Sequence, residues 1–156
     1  MPNEQLDEID ARILRRLQEN GRAANIDLAK AVGLSPSPCL RRVNVLEERG
    51  VIRKYVALLD PAAVGLPVSV FVQVTLEKQI EKALERFEAA ILKRSEVMEC
   101  YLMTGDSDYL LRVVVPDVAA YERFLLTHIT TISGVASVRS SFALKQIKYT
   151  TAMPVG

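Results

Sequence analysis

The sequence predicts an α+β fold in two parts, an N-terminal winged helix-turn-helix followed by a ferredoxin-like β-α-β-β-α-β domain. Three observations carry this expectation. Before Gly50, apolar residues recur at helical spacing in three short runs; after Asp60-Pro61, β-branched strands alternate with amphipathic helices; and excess basic charge is confined to the first part. The break at Asp60-Pro61 divides the chain into domains 1–60 and 61–156.

In the first run Leu6, Ile9, Ile13, Leu14 and Leu17 share one helical face, with Asp7, Glu8 and Asp10 near the start and Gly21 after the end. A second helix begins after Asn25, read as its N-cap, buries Leu28, Ala29 and Val32, and stops at Gly33, which can take the left-handed conformation. Ser35 caps a third helix whose inward stripe is Cys39, Val43 and Leu46. Pro36 and Pro38 fit its first turn, where N–H groups have no intrahelical partner. Ser37, preceding a proline, disfavours helical backbone, so the helix is expected to start one turn late. Val51 to Leu59 reads as a strand or wing.

Beyond the break come a strand at Val68–Leu76, a helix at Ile80–Lys93 and strands at Val97–Met103 and Asp108–Val115. A helix capped by Asp117 and running through Ile132 follows, then a long final strand region from Val135 to Tyr149. The two helices cover one sheet face. Along the first strand Val68, Val70, Val72 and Val74 point one way and Ser69, Phe71, Gln73 and Thr75 the other, so the second face also holds apolar side chains. A second copy of the domain is the expected cover, giving a two-fold dimer.

Charge narrows the function. The whole chain of 156 residues is only +1, but seven cations against three carboxylates give +4 between Arg22 and Lys54, and from Pro61 onward ten of each sign balance. Double-stranded DNA is therefore the expected partner of the first part alone. Two helices meeting across a short turn let the second enter the major groove while the first braces it. With Cys39, Val43 and Leu46 inward, the groove-facing side is Ser37, Pro38, Arg41 and Asn44. Arg41 suits guanine O6 and N7 bidentately. Ser35, Ser37 and Arg42 are expected to contact phosphate or position the helix, and Arg53 and Lys54 to reach adjacent backbone. Arg42 has a second reading, an ion pair with Glu47 or Glu48.

Other classes find little support. The longest apolar run, Leu66 to Leu76, is about eleven residues against the roughly 20 of a membrane span, and no secretory signal opens the chain; a cytoplasmic protein is expected. Cys39, Cys100 and the single His128 provide neither a metal quartet nor a disulfide framework, and no cofactor is expected. No nucleophile elbow, phosphate loop or HExxH occurs, which argues against an enzyme.

The runs LAKAVGLSPSPCLRRVNVLEERGVI (Leu28 to Ile52), YVALLDP (Tyr55 to Pro61), CYLMTGDSDYLLRV (Cys100 to Val113) and SSFALKQIKYTTAMP (Ser140 to Pro154) closely resemble the leucine-responsive and asparagine regulator family, Lrp/AsnC. The resemblance implies a DNA-binding regulator whose C-terminal domain pairs protomers and senses amino acids, as dimers and often as rings of four dimers. Tetrapyrrole decarboxylases of similar fold are one alternative, and a ligand-binding module with a vestigial DNA-binding domain is another.

Thr104-Gly105-Asp106-Ser107-Asp108 lies between two strands and reads as a hairpin turn, with Gly105 at positive φ. Asp106 or Asp108 can hold an α-amino group, and N–H groups near Gly105 an α-carboxylate. By resemblance, the effector pocket takes Met103, Thr104, Gly105, Asp106 and Asp108, with Ser141 and Ala143 from the last strand. The two carboxylates are too few for a divalent metal.

Overall fold

The computed structural model describes residues 5–156, so the start of the first predicted domain, residues 1–4, lies outside the described residues. The chain forms two compact units. One runs from the N-terminal segment through Leu58 and also takes Lys148–Gly156; the other is Leu59–Ile147.

The first unit contains α1 (Glu8–Glu19), α2 (Asn25–Val32) and α3 (Pro36–Glu48). Asp7 caps α1 by accepting the Asp10 N–H at 2.7 Å. Gly33, at φ 76°, ends α2, and the Leu34 N–H folds back to the Ala29 carbonyl at 2.9 Å. Ile13, Leu28, Ala29, Val32, Cys39, Val43 and Leu46 form the core, as the periodicity predicts. Two local expectations fail. Ala24, not Asn25, is the N-cap of α2, whereas Ser35 does stand at the N-cap of α3, though its side chain makes no capping bond. α3 begins at Pro36 without delay, because the prolines in its first turn forfeit no hydrogen bond and fix φ at a helical value.

The expected wing is also different. Val51–Leu59 forms no strand, and its one backbone hydrogen bond among the described residues runs from the Ile52 N–H to the Leu46 carbonyl at 3.1 Å. A strand needs a neighbour to pair with, and this segment has none among the described residues, leaving Val56 and Leu58 more than 60% exposed. The tail supplies an unforeseen contact. Gln18 on α1 exchanges two hydrogen bonds with the Met153 backbone, at 2.6 and 3.0 Å, Arg15 donates to the Val155 carbonyl at 2.7 Å, and Val155 packs on the helical core.

The second unit has the predicted order: β1 (Val68–Leu76), α4 (Glu81–Ile91), β2 (Val97–Leu102), β3 (Tyr109–Val115), α5 (Val118–Phe124) and β4 (Val135–Phe142). A π-helical turn, Leu125–Ile129, continues α5, whose cap is the Asp117 carboxylate accepting from the Ala120 N–H at 2.7 Å. The sheet is antiparallel with order β2-β3-β1-β4. Val70, Val72 and Val74 are buried with Leu111 and Val113, Phe87 and Ile91 of α4, and Tyr121 and Phe124 of α5. Ser69, Phe71, Gln73 and Thr75 line the opposite face, which no helix of this unit covers; Phe71 and Tyr101 are exposed there. β4 ends at Phe142 rather than near Tyr149. Among the described residues no helix is long and apolar enough to cross a membrane.

Candidate nucleic-acid interface and ligand cleft

The outer side of α3 presents Ser37, Arg41 and Asn44 to solvent, with Pro38 half-buried and Ser35 exposed just before the helix. Arg41, Asn44 and Ser37 make no hydrogen bond or ion pair through their side chains among the described residues. Asn25 holds this helix in place from α2: its Nδ2 donates to the Pro36 carbonyl at 2.8 Å. Arg53 and Lys54 are exposed on the irregular segment that follows α3.

Arg42 fits the positioning part of its first reading and does not form the ion pair with Glu47 or Glu48. Its guanidinium donates to Asp7 at 2.7 Å and to Asp10 at 2.9 Å, so it ties α3 to the start of α1. The fold of the unit sets the cap and first turn of α1 beside Arg42 of α3. The Asp10 N–H and then the Arg42 guanidinium hold the Asp7 carboxyl below its ordinary value, and the two carboxylates raise that of Arg42. Glu47 instead accepts the Tyr55 hydroxyl at 2.9 Å; burial and this carboxylate push the phenol up to about 12.

An open cleft of about 460 Å³ lies at one end of the uncovered sheet face. Met103, Thr104, Asp106 and Ser107 form one side, and Gln73 and Thr75 of β1, Leu110 of β3, and Ser137 and Arg139 of β4 form the rest. Sheet register brings the strand residues together, since Gln73 pairs with Arg139 and Thr75 with Ser137. The cleft thus has one cation, one carboxylate, several hydroxyls and a partly apolar floor. Gly105, at φ 110°, makes the turn but does not line the cleft.

Three predicted pocket residues lie elsewhere. Asp108 is 5% exposed, and its carboxylate accepts from the Leu76 N–H at 2.7 Å and from Gln79 Nε2 at 2.6 Å. The side chain is turned into the unit's interior and does not line the cleft. Ser141 pairs with Phe71, farther along the same face, and the Ala143 N–H donates to the Ser69 carbonyl; neither lines the cleft. Sequence reasoning missed Gln73, Thr75, Ser107, Leu110, Ser137 and Arg139. The signal available was alternation: Gln73 and Thr75 are polar positions in an otherwise valine-rich strand.

No other arrangement among the described residues suggests chemistry. His128 is half-buried with the Arg94 guanidinium 3.1 Å from its Nδ1. Burial raises the Cys39 thiol, and partial desolvation together with the nearby Glu88 carboxylate raises that of exposed Cys100 to about 11, the opposite of an activated nucleophile. Among the described residues no group of three or more His, Cys, Asp or Glu is placed to hold a metal ion.

Comparison with known proteins accounts for both units. Residues 6–53 match the model of a winged helix-turn-helix DNA-binding domain, and residues 69–153 that of the Lrp/AsnC ligand-binding domain. The chain is 50% identical to the Bkd operon transcriptional regulator of Pseudomonas aeruginosa over 97% of its own length and 99% of the relative's. It is 41% identical to the leucine-responsive regulatory protein of Salmonella typhimurium, covering 99% and 94%. Among solved structures, a transcriptional regulator of Neisseria meningitidis in complex with L-Met superposes with a TM-score of 0.92 at 44% identity, covering 96% of this chain and 97% of that one. An AsnC-family regulator of Agrobacterium tumefaciens gives 0.90 at 51%, covering 95% and 96%.

Proposed function

This chain belongs to the Lrp/AsnC family of transcriptional regulators, and from that premise we propose that α3 reads operator bases while the sheet cleft takes a free α-amino acid. The observation that carries the DNA half is the unpartnered polar face of α3. Arg41 reads a guanine edge, Asn44 is the second base-contacting group, and Ser35, Ser37 and Pro38 set the helix end against phosphate and sugar. Arg53 and Lys54 add sequence-independent phosphate contacts. Arg42 braces the helix from behind.

In the cleft the α-amino group faces Asp106 and the α-carboxylate faces Arg139, with Thr75, Thr104 and Ser137 supplying hydrogen bonds and Met103 and Leu110 meeting the side chain. Paired opposite charges in one cleft suit a zwitterion, and the related Neisseria regulator was solved with L-Met. Two copies join through the uncovered sheet face, where Phe71 and Tyr101 lie exposed, and dimers assemble further into an octamer. An amino acid that prefers one assembly shifts that population and with it operator affinity. On this reading the protein acts in the cytoplasm by binding alone, without a catalytic step.

Thermal unfolding in the presence of each of the twenty L-amino acids tests the cleft. At least one raises Tm in the parent by mass action, and Arg139→Ala removes that rise. An equal rise in parent and variant would place the ligand elsewhere.

A further inference from the structure

Asp108 is the one buried charged side chain among the described residues, and it stands directly behind the cleft. Four hydrogen bonds converge on this residue. Its N–H donates to the Val74 carbonyl at 2.9 Å and its carbonyl accepts from the Met103 N–H at 2.8 Å. Its carboxylate takes the Leu76 N–H at 2.7 Å and Gln79 Nε2 at 2.6 Å. These bonds join the end of β1 to the loop that forms the cleft's other side. They also coincide with an irregularity in the sheet, because the β1–β4 register shifts between Thr75 and Leu76. An irregular strand end takes its geometry from whatever holds it.

We propose that Asp108, with Gln79, is a positioning residue for the cleft. Through its carboxylate Asp108 fixes the strand end beside Thr75, and through its backbone carbonyl it holds Met103 and the loop that carries Thr104, Asp106 and Ser107, without touching the ligand itself. The idea rests on the cleft being the effector site. Its chemistry is hydrogen-bond geometry rather than charge: in Asp108→Asn, the remaining oxygen accepts the Leu76 N–H and the new amide donates to the Gln79 oxygen once the Gln79 amide turns over. In Asp108→Ala both bonds vanish, and the Leu76 N–H is left buried and unsatisfied.

The test uses the full chain and two readouts. Hydrogen exchange at the Leu76 and Met103 amides reports the hub with no ligand present: Asp108→Ala accelerates it about 10-fold, Gln79→Ala less but in the same direction, and Asp108→Asn leaves it within about twofold. Calorimetric titration with the twenty L-amino acids, one by one, reports the cleft. Any that binds the parent binds Asp108→Ala about 10-fold more weakly and Asp108→Asn nearly as well as the parent. Exposed Gln79 keeps the test open if Asp108→Ala does not fold. Binding lost in Asp108→Asn with parental exchange would mean that the carboxylate touches the ligand, which overturns the proposal, as would unchanged exchange in both alanine variants. A parent that binds no amino acid contradicts the cleft reading instead, while the exchange result still decides the hub.

Discussion

α3 and the loop from Met103 to Asp108 pose the same problem in the two units. Each carries two like charges close together, Arg41 and Arg42 in the helix, Asp106 and Asp108 in the loop, and in each the fold takes one and leaves the other. Arg42 is bound to Asp7 and Asp10, and Asp108 to Leu76 and Gln79, whereas Arg41 and Asp106 have no side-chain partner among the described residues. The committed members differ in kind. Arg42 stays a third exposed, so its pairing is screened, while Asp108 is buried and its loss leaves a backbone donor stranded. Position relative to the core, not residue type, decides which charge is available for a partner.

The largest consequence for stability falls on the buried member. Asp108→Ala is expected to destabilise its unit by about 1–3 kcal/mol. Asp106→Ala should remain within about 0.5 kcal/mol of the parent. Chemical denaturation of both variants checks this, and equal losses would erase the distinction. In the helix the contrast is milder: Arg42→Ala should lower Tm by no more than a few degrees, and Arg41→Ala should leave it unchanged.

The smallest effect is a pH dependence. The folded protein holds the Asp7 carboxyl below its ordinary value, so the stability from this group is full above the unfolded pKa, about 3.9. That stability is lost as pH falls through the folded value. Acid unfolding followed by circular dichroism should therefore shift toward higher pH in Arg42→Ala, and an identical acid midpoint would remove the pair from the account.

Much of the architecture was legible because it follows from periodicity. The valine alternation of β1 placed that strand at Val68–Leu76, and Gly33 marked the turn. What escaped depends on partners distant in sequence. Nothing near Arg42 in the chain points to Asp7, thirty-five positions earlier, and Arg139 joins the cleft only through the register that sets it opposite Gln73. The tail from Lys148 has no amphipathic period, so its seat on Gln18 and Arg15 left no local trace. Val51–Leu59 shows the converse: β-branched residues announce a strand, but a strand forms only where another is available to pair.

The claim that one arginine of α3 reads DNA and its neighbour does not can be measured by selection from a random duplex library with the parent, Arg41→Ala and Arg42→Ala. The parent should yield a two-fold consensus containing a guanine in each half-site. Arg42→Ala should return the same consensus, and Arg41→Ala should become indifferent at that guanine, a discrimination of about 1–3 kcal/mol lost at one position. An unchanged consensus from Arg41→Ala, or a position lost in Arg42→Ala, would contradict the account.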